Sequence, residues 1–385
     1  MKYKAENEIV LASAKIHPLQ DDLVRLNQLI PNVTDWEYAI SNIIQRGTGP
    51  LLFKKLDKLS NSHLIPAEQR EKLQQSYYKS LSRGMVLINA FQRIAEVFAA
   101  NNIEIVALKG VLLSEWLYGD IGLRQFSDLD LLVLPADGLK SLKILEKMGY
   151  SGSSNEISDF VKSQTEIVHY TPMVKNEISV EIHIKLHRKN PDYDMKLEDL
   201  IADAEPIVLH KMPVLMLCPE DLLIHLCLHI EKHFRGGHVQ FTSYNDVVNM
   251  LCIHGYEMDW ESFLLRTELH KCKRVVLIHL LLVHKYYHVY LPEVVLNDMD
   301  ATLDPKDEEL FMKYLSGHRF ASSYVVNTWQ HLRRMDRPVD ALHYAWDMAF
   351  PSKKFMIKRY KIRHPKLYFL YYPYRHLVVL KKLLF

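Results

Sequence analysis

The spacing of apolar residues changes twice along the chain, and each change indicates a different kind of structure. Residues 1 to about 95 repeat apolar side chains every three or four positions, which is typical of amphipathic helices. From Ile103 to about residue 215, short β-branched runs bounded by glycine or proline alternate with helical stretches. Helical spacing returns from about Pro219. The chain therefore predicts an α+β fold, with a small mixed-sheet core flanked by N-terminal and C-terminal helical segments.

This pattern divides the 385 residues into four regions. They are a helical N-terminal segment (1–95), an α/β core (96–215), a helical domain that we expect to close over the cleft of the core (216–350), and a basic, aromatic tail (351–385). The length suits two or three domains. A hydrophobic fraction of 48% is typical of a folded protein, and the net charge of +2 argues against a surface that binds nucleic acid throughout.

The N-terminal residues and the cysteines predict a cytoplasmic protein. The first residues lack an apolar core followed by a small-residue cleavage site, so we expect no signal peptide. No stretch reaches roughly 18 uncharged apolar residues, so we expect no membrane-spanning helix. The four cysteines have no CxxC spacing and lie in apolar helical stretches, which favours buried free thiols over disulfides or a metal site. They are Cys218, Cys227, Cys252 and Cys272.

Two aspartates stand at the start of the apolar run "DLDLLVLP", where a strand is predicted. Because side chains alternate along a strand, Asp128 and Asp130 share one face. A later run, "ISVEIHIKLH", is predicted to be the second strand of a hairpin that turns at residues 175–177, and it places Glu181 and His183 on one face. If the two strands are neighbours, Asp128, Asp130 and Glu181 converge.

Three converging carboxylates require a counter-ion. Two carboxylates about 4 Å apart repel by roughly 4 kcal/mol at an effective dielectric constant of about 20. A divalent cation such as Mg²⁺ or Mn²⁺ removes this repulsion and suits oxygen ligands, so these acids are candidate metal ligands and catalytic residues. In the alternative interpretation the pair has only a structural role, because a D-x-D pair near a strand end is also common in turns and helix caps.

A second set of residues suits the binding of phosphate. Lys109 and Gly110 lie where a predicted strand gives way to a helix, and backbone N–H groups at a helix start beside a lysine bind anions well. Ser114 is a further donor if it faces the same site. Arg124 can hold a triphosphate oxygen or orient a carboxylate. The alternatives are an ordinary glycine turn and a solvated loop arginine.

The stretch "ALKGVLLSEWLYGDIGLRQFSDLDLLV", followed by "VEIHIKL", resembles the uncharacterised nucleotidyltransferase family of the polymerase-β-like superfamily. The resemblance extends over roughly residues 80 to 290. It implies a nucleotidyltransferase core and a metal-dependent enzyme that binds an NTP and moves its NMP group to an acceptor hydroxyl or phosphate, releasing pyrophosphate. It assigns the phosphate turn to Lys109 and Gly110, and the metal pair to Asp128 and Asp130. It assigns the third acid to Glu181 and the arginine that precedes the acidic pair to Arg124.

This chain departs from the superfamily at two positions. The turn reads Lys-Gly where Gly-Ser or Gly-Gly is usual, so Lys109 would replace the serine donor to the phosphates. The third acid is Glu181 instead of the commoner aspartate. Two other functions remain open: a non-catalytic nucleotide-binding or scaffold protein of the same fold, and a toxin-like enzyme that modifies tRNA. The acceptor is equally open, among a small molecule, RNA or protein.

Three further features have more than one interpretation. His225, His229 and His233 share one helix face, but Glu231 points away from it, so core or surface histidines that line the cleft are favoured over zinc ligands. Asp246 either orients the acceptor or stabilises its helix. The tail has many Lys and Arg residues and no acid, with interleaved aromatics. It suits a final packed helix, a peripheral membrane contact, or nucleic acid.

Overall fold

The computed structural model describes most of the chain. The described residues are 4–152, 168–187, 195–235, 237, 239–298, 300–317, 346, 349–351, 353–360, 362 and 364–384. Parts of the predicted elements therefore lie outside the described residues, namely positions 165–167 of the hairpin and 318–345 of the C-terminal helical domain.

The core is a mixed sheet whose described part has seven strands in the order β3-β4-β5-β2-β1-β7-β6. The strands are β1 Val106–Ala107, β2 Asp128–Leu132, β3 Ser151–Gly152, β4 Met173–Lys175, β5 Ile178–His183, β6 Glu205–Leu209 and β7 Met212–Met216. β2 and β5 run parallel at the centre, as do β1 and β7, while the other neighbours are antiparallel. The predicted β4–β5 hairpin is present, and its turn places Asn176 and Glu177 at positive φ.

Helices surround this sheet in the order that the apolar spacing predicts. The α-helices are α1 Lys4–Ala12, α2 Gln20–Leu29, α3 Trp36–Gln45, α4 Gly49–Phe53, α5 Ala67–Ala99, α6 Lys109–Trp116, α7 Pro135–Lys147, α8 Leu197–Ala202, α9 Pro219–Arg235, α10 Phe241–His254, α11 Trp260–Leu269, α12 Lys273–Tyr287, α13 Glu293–Leu296, α14 Pro305–Leu315, α15 Lys353–Tyr360 and α16 Tyr371–Leu384. Short 3₁₀ turns lie at Ile30–Asn32, Leu56–Lys58, Ser60–Leu64 and Pro365–Leu370. A mixed α/β architecture is therefore confirmed.

The N-terminal and C-terminal helices pack against each other. The side chain of Asn7 in α1 donates to Ser316 Oγ just after α14, at 3.2 Å, and Asn42 in α3 donates to the backbone oxygen of Leu315, at 3.1 Å. Asn249 in α10 donates to the backbone oxygen of Ala14 at 2.9 Å. One continuous apolar core runs through both helical segments and the sheet.

The longest helix, α5, contacts both the sheet and the N-terminal helices. It packs against α3 and α4 of the N-terminal segment and against α6, α7, β2 and β7 of the core. The predicted boundary at residue 95 falls inside α5, which continues to Ala99. Among the described helices, none combines the length and the apolar character that a bilayer crossing requires. All four cysteines are free thiols; three are buried and Cys252 is half-buried.

A buried ion pair joins the core to the C-terminal helices. Arg124, in the loop before β2, donates from Nε to Asp246 Oδ1 at 2.8 Å and from Nη2 to Asp246 Oδ2 at 2.7 Å. The hydroxyl of Tyr118 also donates to Asp246 Oδ1, at 3.0 Å. Arg124, Tyr118 and Asp246 are all buried. Such a two-bond arginine–carboxylate pair fixes orientation as well as distance.

We expect Asp246→Asn to destabilise the protein strongly, because it leaves the buried guanidinium of Arg124 without its counter-charge. Removal of one partner from a buried pair costs about 3–5 kcal/mol. The matched control is Asp259→Asn, at the exposed N-cap of α11, where asparagine caps as well as aspartate. Urea unfolding measures both variants. Equal stability of Asp246→Asn and the control would contradict a structural role for the pair.

Candidate metal and nucleotide site

The pairing of β2 with β5 brings the predicted acids together. The strands are parallel, and the register places Asp128 beside Ser179, Asp130 beside Glu181, and Leu132 beside His183. The predicted shared face is therefore observed. The opposite face is apolar and fully buried, and it consists of Leu129, Leu131, Val180 and Ile182.

This face opens into a cleft between the sheet and helices α9 and α10. The cleft has a volume of about 530 Å³, which is within the range of small-molecule sites. Its acidic side chains are those of Asp128, Asp130 and Glu181, and they lie together in one corner. Near them lie the phosphate-turn residues and the loop before β2: Lys109, Gly110, Arg124, Gln125, Phe126 and Ser127.

Both carboxylate oxygens of Asp130 have cationic or imidazole partners. Lys109 Nζ lies 2.9 Å from Oδ2, and His183 Nε2 lies 2.9 Å from Oδ1. Burial opposes ionisation of Asp130, but these two neighbours outweigh it and hold its pKa well below the usual range. Burial likewise disfavours the charged form of His183, yet Asp130 and Glu181 raise its pKa. Asp130 is thus neutralised by the protein itself.

Asp128 has a less favourable environment than Asp130. Its pKa is raised by burial first and then by the negative charges of Asp130 and Glu181, against the smaller opposing effects of Lys109 and Arg124. Glu181 Oε2 lies 3.7 Å from a nitrogen of His183 and 3.7 Å from one of His169. These neighbours, His183 foremost, lower the pKa of Glu181 against the effect of burial.

The donor atoms fit a divalent cation. Asp130, Glu181 and His183 each offer one ligand atom, and these atoms lie within 4.8 Å of one another. The predicted set was Asp128, Asp130 and Glu181; Asp128 lines the same cleft but is not part of this tightest group. Carboxylates suit Mg²⁺ and Mn²⁺, and the imidazole extends the fit towards other transition metals. Lys109 and His183 already engage the two oxygens of Asp130, so a cation at this carboxylate would compete with them.

The Lys109-Gly110 turn lies where the sequence predicts it. Packing explains why its second residue is glycine. Lys109 is the first residue of α6 and has a φ of 36°, which is an uncommon conformation for a non-glycine residue. A Cβ on Gly110 would lie 2.9 Å from ring atom Cδ2 of Phe126. Close packing against Phe126 therefore requires glycine at position 110, independently of any phosphate.

Two predicted nucleotide-binding residues have other partners. Ser114 is fully buried, its hydroxyl donates to the backbone oxygen of Val111 at 3.0 Å, and it is not among the cleft-lining residues. The structure does not bring Ser114 to the site, because the side of α6 that carries it packs inward. Arg124 does line the cleft, but Asp246 engages its Nε and Nη2. Asp246 thereby holds Arg124 in place.

Histidines form the wall opposite the acids. The members of this histidine wall are His187, His225, His229 and His233, with Lys232 beside them. His225 Nδ1 lies 3.1 Å from His187 Nε2. Burial lowers the pKa of His187 to about 3 and lowers those of His225 and His229 well below their usual value, so these rings are uncharged at neutral pH. Within the described residues, the wall contains no group of three ligand atoms close enough for a metal.

A known protein family matches most of the chain. Residues 32–288 match the model of a family described as "Uncharacterised nucleotidyltransferase". The chain belongs to this family. No curated protein matches the chain significantly, and neither does any solved structure.

The match to the uncharacterised nucleotidyltransferase family covers more of the chain than the sequence motifs do, since it begins at residue 32 and includes α3 and α4. The sequence motifs assigned no role to two histidines that lie beside the acids, His183 and His169. His183 follows Glu181 by two positions, so strand alternation alone places it at the site. His169 faces His183 across an isolated bridge, which no local pattern predicts.

We expect opposite effects on stability when the two aspartates are neutralised in metal-free protein at pH 7. Asp130→Asn should lower the melting temperature, because it leaves Lys109 and His183 without their carboxylate. Asp128→Asn should raise it, because a folded-state pKa above the unfolded value means that the charged form opposes folding. Thermal unfolding in EDTA measures both variants. A lower melting temperature for Asp128→Asn would show that its charge is stabilised in a way that the structure does not contain.

Proposed function

We propose that the protein is a metal-dependent nucleotidyltransferase that moves an NMP group from an NTP to an acceptor and releases pyrophosphate. The observation that carries the proposal is the parallel register of β2 and β5, which gathers Asp128, Asp130 and Glu181 at one corner of a cleft. Family membership supports the same chemistry. The resemblance of the motifs to the polymerase-β-like superfamily supports the proposed roles of the individual residues.

In this proposal Asp128, Asp130 and Glu181 would hold Mg²⁺ or Mn²⁺, and His183 either contributes a ligand or orients Asp130. The cation would activate the attacking oxygen and stabilise the leaving pyrophosphate. Glu181 lies next to Asp130 on the neighbouring strand, within reach of an acceptor in the cleft. A carboxylate in this position can also accept the proton of an acceptor hydroxyl.

Lys109 would have two successive partners. It neutralises Asp130 in the metal-free protein, across 2.9 Å. Once a cation takes that role, the ammonium group of Lys109 is released for the triphosphate, at the start of α6 where the helix dipole also favours an anion. One lysine thereby links the metal site to the nucleotide site, and it replaces the serine donor of the wider superfamily.

The acceptor would lie between the acids and the histidine wall. Neutral imidazoles both donate and accept hydrogen bonds, so His225 and His229 suit hydroxyl groups. Lys232 supplies a positive charge on the same wall. A non-catalytic nucleotide-binding protein would share the cleft but release no pyrophosphate, and a toxin-like enzyme would label tRNA. An acceptor screen with each labelled NTP and Mg²⁺ or Mn²⁺ separates these functions.

We expect Glu181→Gln to reduce pyrophosphate release by about 10²-fold or more, because it removes a charge that acts mainly in the transition state. Asp130→Asn should reduce it at least as much. The losses should not add in the double variant, since both residues serve one site. Steady-state pyrophosphate release measures all three.

The matched control is Glu177→Gln, an exposed acid in the turn that precedes β5. It should keep full activity. Wild-type activity in Glu181→Gln, or additive losses in the double variant, would place the third carboxylate elsewhere. Nucleotide binding without pyrophosphate release in the wild type, across the full acceptor screen, would favour the non-catalytic function.

We expect Lys109→Met to change the two affinities in opposite directions. Without the competing ammonium group, Mn²⁺ should bind nucleotide-free protein about tenfold more tightly, which corresponds to about 1.4 kcal/mol. A non-hydrolysable NTP should bind about tenfold more weakly, since a charge-assisted contact to phosphate is lost. Calorimetry measures both affinities, with Lys143→Met on the exposed side of α7 as the charge-matched control. Weaker Mn²⁺ binding in Lys109→Met would contradict the two-partner role.

A further inference from the structure

The tail, residues 351–385, differs in charge from the rest of the chain. It contains ten of the 48 Lys and Arg residues and none of the 46 Asp and Glu residues, so the remainder of the chain has a formal charge of −8. The net charge of +2 hides this separation. A positively charged tail on a negatively charged remainder binds an anionic surface in one orientation only, with the tail towards that surface.

The tail also exposes large apolar side chains. In the described part of the tail, the large apolar side chains that are more than one third exposed lie in the 3₁₀ turn Pro365–Leu370 and in α16. They are Leu367, Phe369, Leu370, Tyr374 and Leu377, each between 44% and 66% exposed. Leu367 and Leu370 are three positions apart in the 3₁₀ turn, where such residues stack on one side, and Tyr374 and Leu377 share a face of α16.

Two of the exposed side chains, Leu370 and Tyr374, line a shared depression with tyrosines of the tail. Leu370, Tyr371 and Tyr374 line a depression of about 390 Å³ together with Tyr360 of α15. Basic residues lie around it in the sequence: Lys353, Lys358, Arg359, Lys366 and Arg375. Leucine and tyrosine on one side and Lys or Arg beside them are typical of a helix that lies in the headgroup layer of a membrane.

We propose that the tail is a docking surface for a membrane with anionic headgroups, in which Leu370, Tyr374 and Leu377 enter the headgroup layer. The basic residues of the tail contact the lipid phosphates and carboxylates. The contact is peripheral, since none of the described helices is suited to span a bilayer.

The aliphatic residues favour a lipid surface over nucleic acid. Single-stranded nucleic acid gains from aromatic rings, which stack on bases, and from cations along its backbone. Leucines gain nothing from such a partner, yet Leu370 and Leu377 are the two most exposed of the large apolar side chains in the described part of the tail. A headgroup layer, in contrast, removes leucine side chains from water while the lysines stay in contact with charge.

Binding to an anionic surface should weaken as salt is added. Each engaged Lys or Arg strengthens binding by about fivefold at low salt. Screening shortens the range of this attraction from about 10 Å at 0.1 M salt to about 3 Å at 1 M. The leucine contribution should persist at high salt, because it depends on apolar burial and not on charge.

Co-sedimentation of the full chain with vesicles tests the proposal. We expect binding to phosphatidylcholine vesicles that contain phosphatidylserine, and at least tenfold weaker binding to vesicles of phosphatidylcholine alone. The apolar variant, Leu370→Ser with Leu377→Ser, should bind at least tenfold more weakly. Its control is Leu265→Ser with Leu269→Ser, since these leucines of α11 are 67% and 64% exposed but lie outside the tail. The control should bind as the wild type does.

The charge variant, Lys366→Glu with Arg375→Glu, should lose binding at low salt. Thermal unfolding of every variant establishes that the chain still folds, and pyrophosphate release measured without vesicles should be unchanged, so this test is separate from that of the proposed function. Equal binding to neutral and anionic vesicles would overturn the proposal. So would wild-type vesicle binding by the apolar variant, or a tail that binds single-stranded RNA and leaves anionic vesicles unbound.

Discussion

The parallel register between β2 and β5 is the constraint on which the site depends. Side chains alternate along each strand, so a slip of one residue would replace Glu181 beside Asp130 with an apolar neighbour. The apolar face fixes the register, because burial of its four side chains contributes about 1.5–3 kcal/mol each. They are Leu129, Leu131, Val180 and Ile182. That sum exceeds the roughly 4 kcal/mol by which two adjacent carboxylates repel, so hydrophobic packing holds the acids in place.

Cationic and imidazole side chains neutralise the three acids of the corner unequally. Lys109 and His183 neutralise Asp130, while Asp128 stays close to two like charges. Arg124, which lines the same cleft, forms its ion pair with Asp246. The charge of Asp128 is thus the least favourable of the three acidic charges in the corner.

Local pattern was enough to predict β1, β2, β4 and β5 and the face on which each acid lies, because alternation and a hairpin turn depend on nearby residues only. It did not predict β3, β6 or β7, and the convergence of Asp130 with Glu181 also required β2 and β5 to be neighbours, which only the fold shows. It was not enough for Ser114, whose inward orientation depends on how α6 packs, or for the Arg124–Asp246 pair, which joins residues far apart in the chain. The histidine wall was predicted as one helix face, but His187 joins it from the residues that follow β5.

The same long-range contacts limit how the cleft can respond to a ligand. The acids lie on the sheet and most of the histidine wall lies on α9. The buried Arg124–Asp246 pair joins the loop before β2 to α10, which packs against α9. Opening the cleft at that contact would cost about 3–5 kcal/mol if it left both charges unpaired, so fewer than one molecule in a hundred would be open at equilibrium. A change on binding is therefore expected in side chains and not in domain positions. Among the described residues of the corner, Lys109 is the lysine paired with an acid, and its side chain is the one that the proposed cation would affect first.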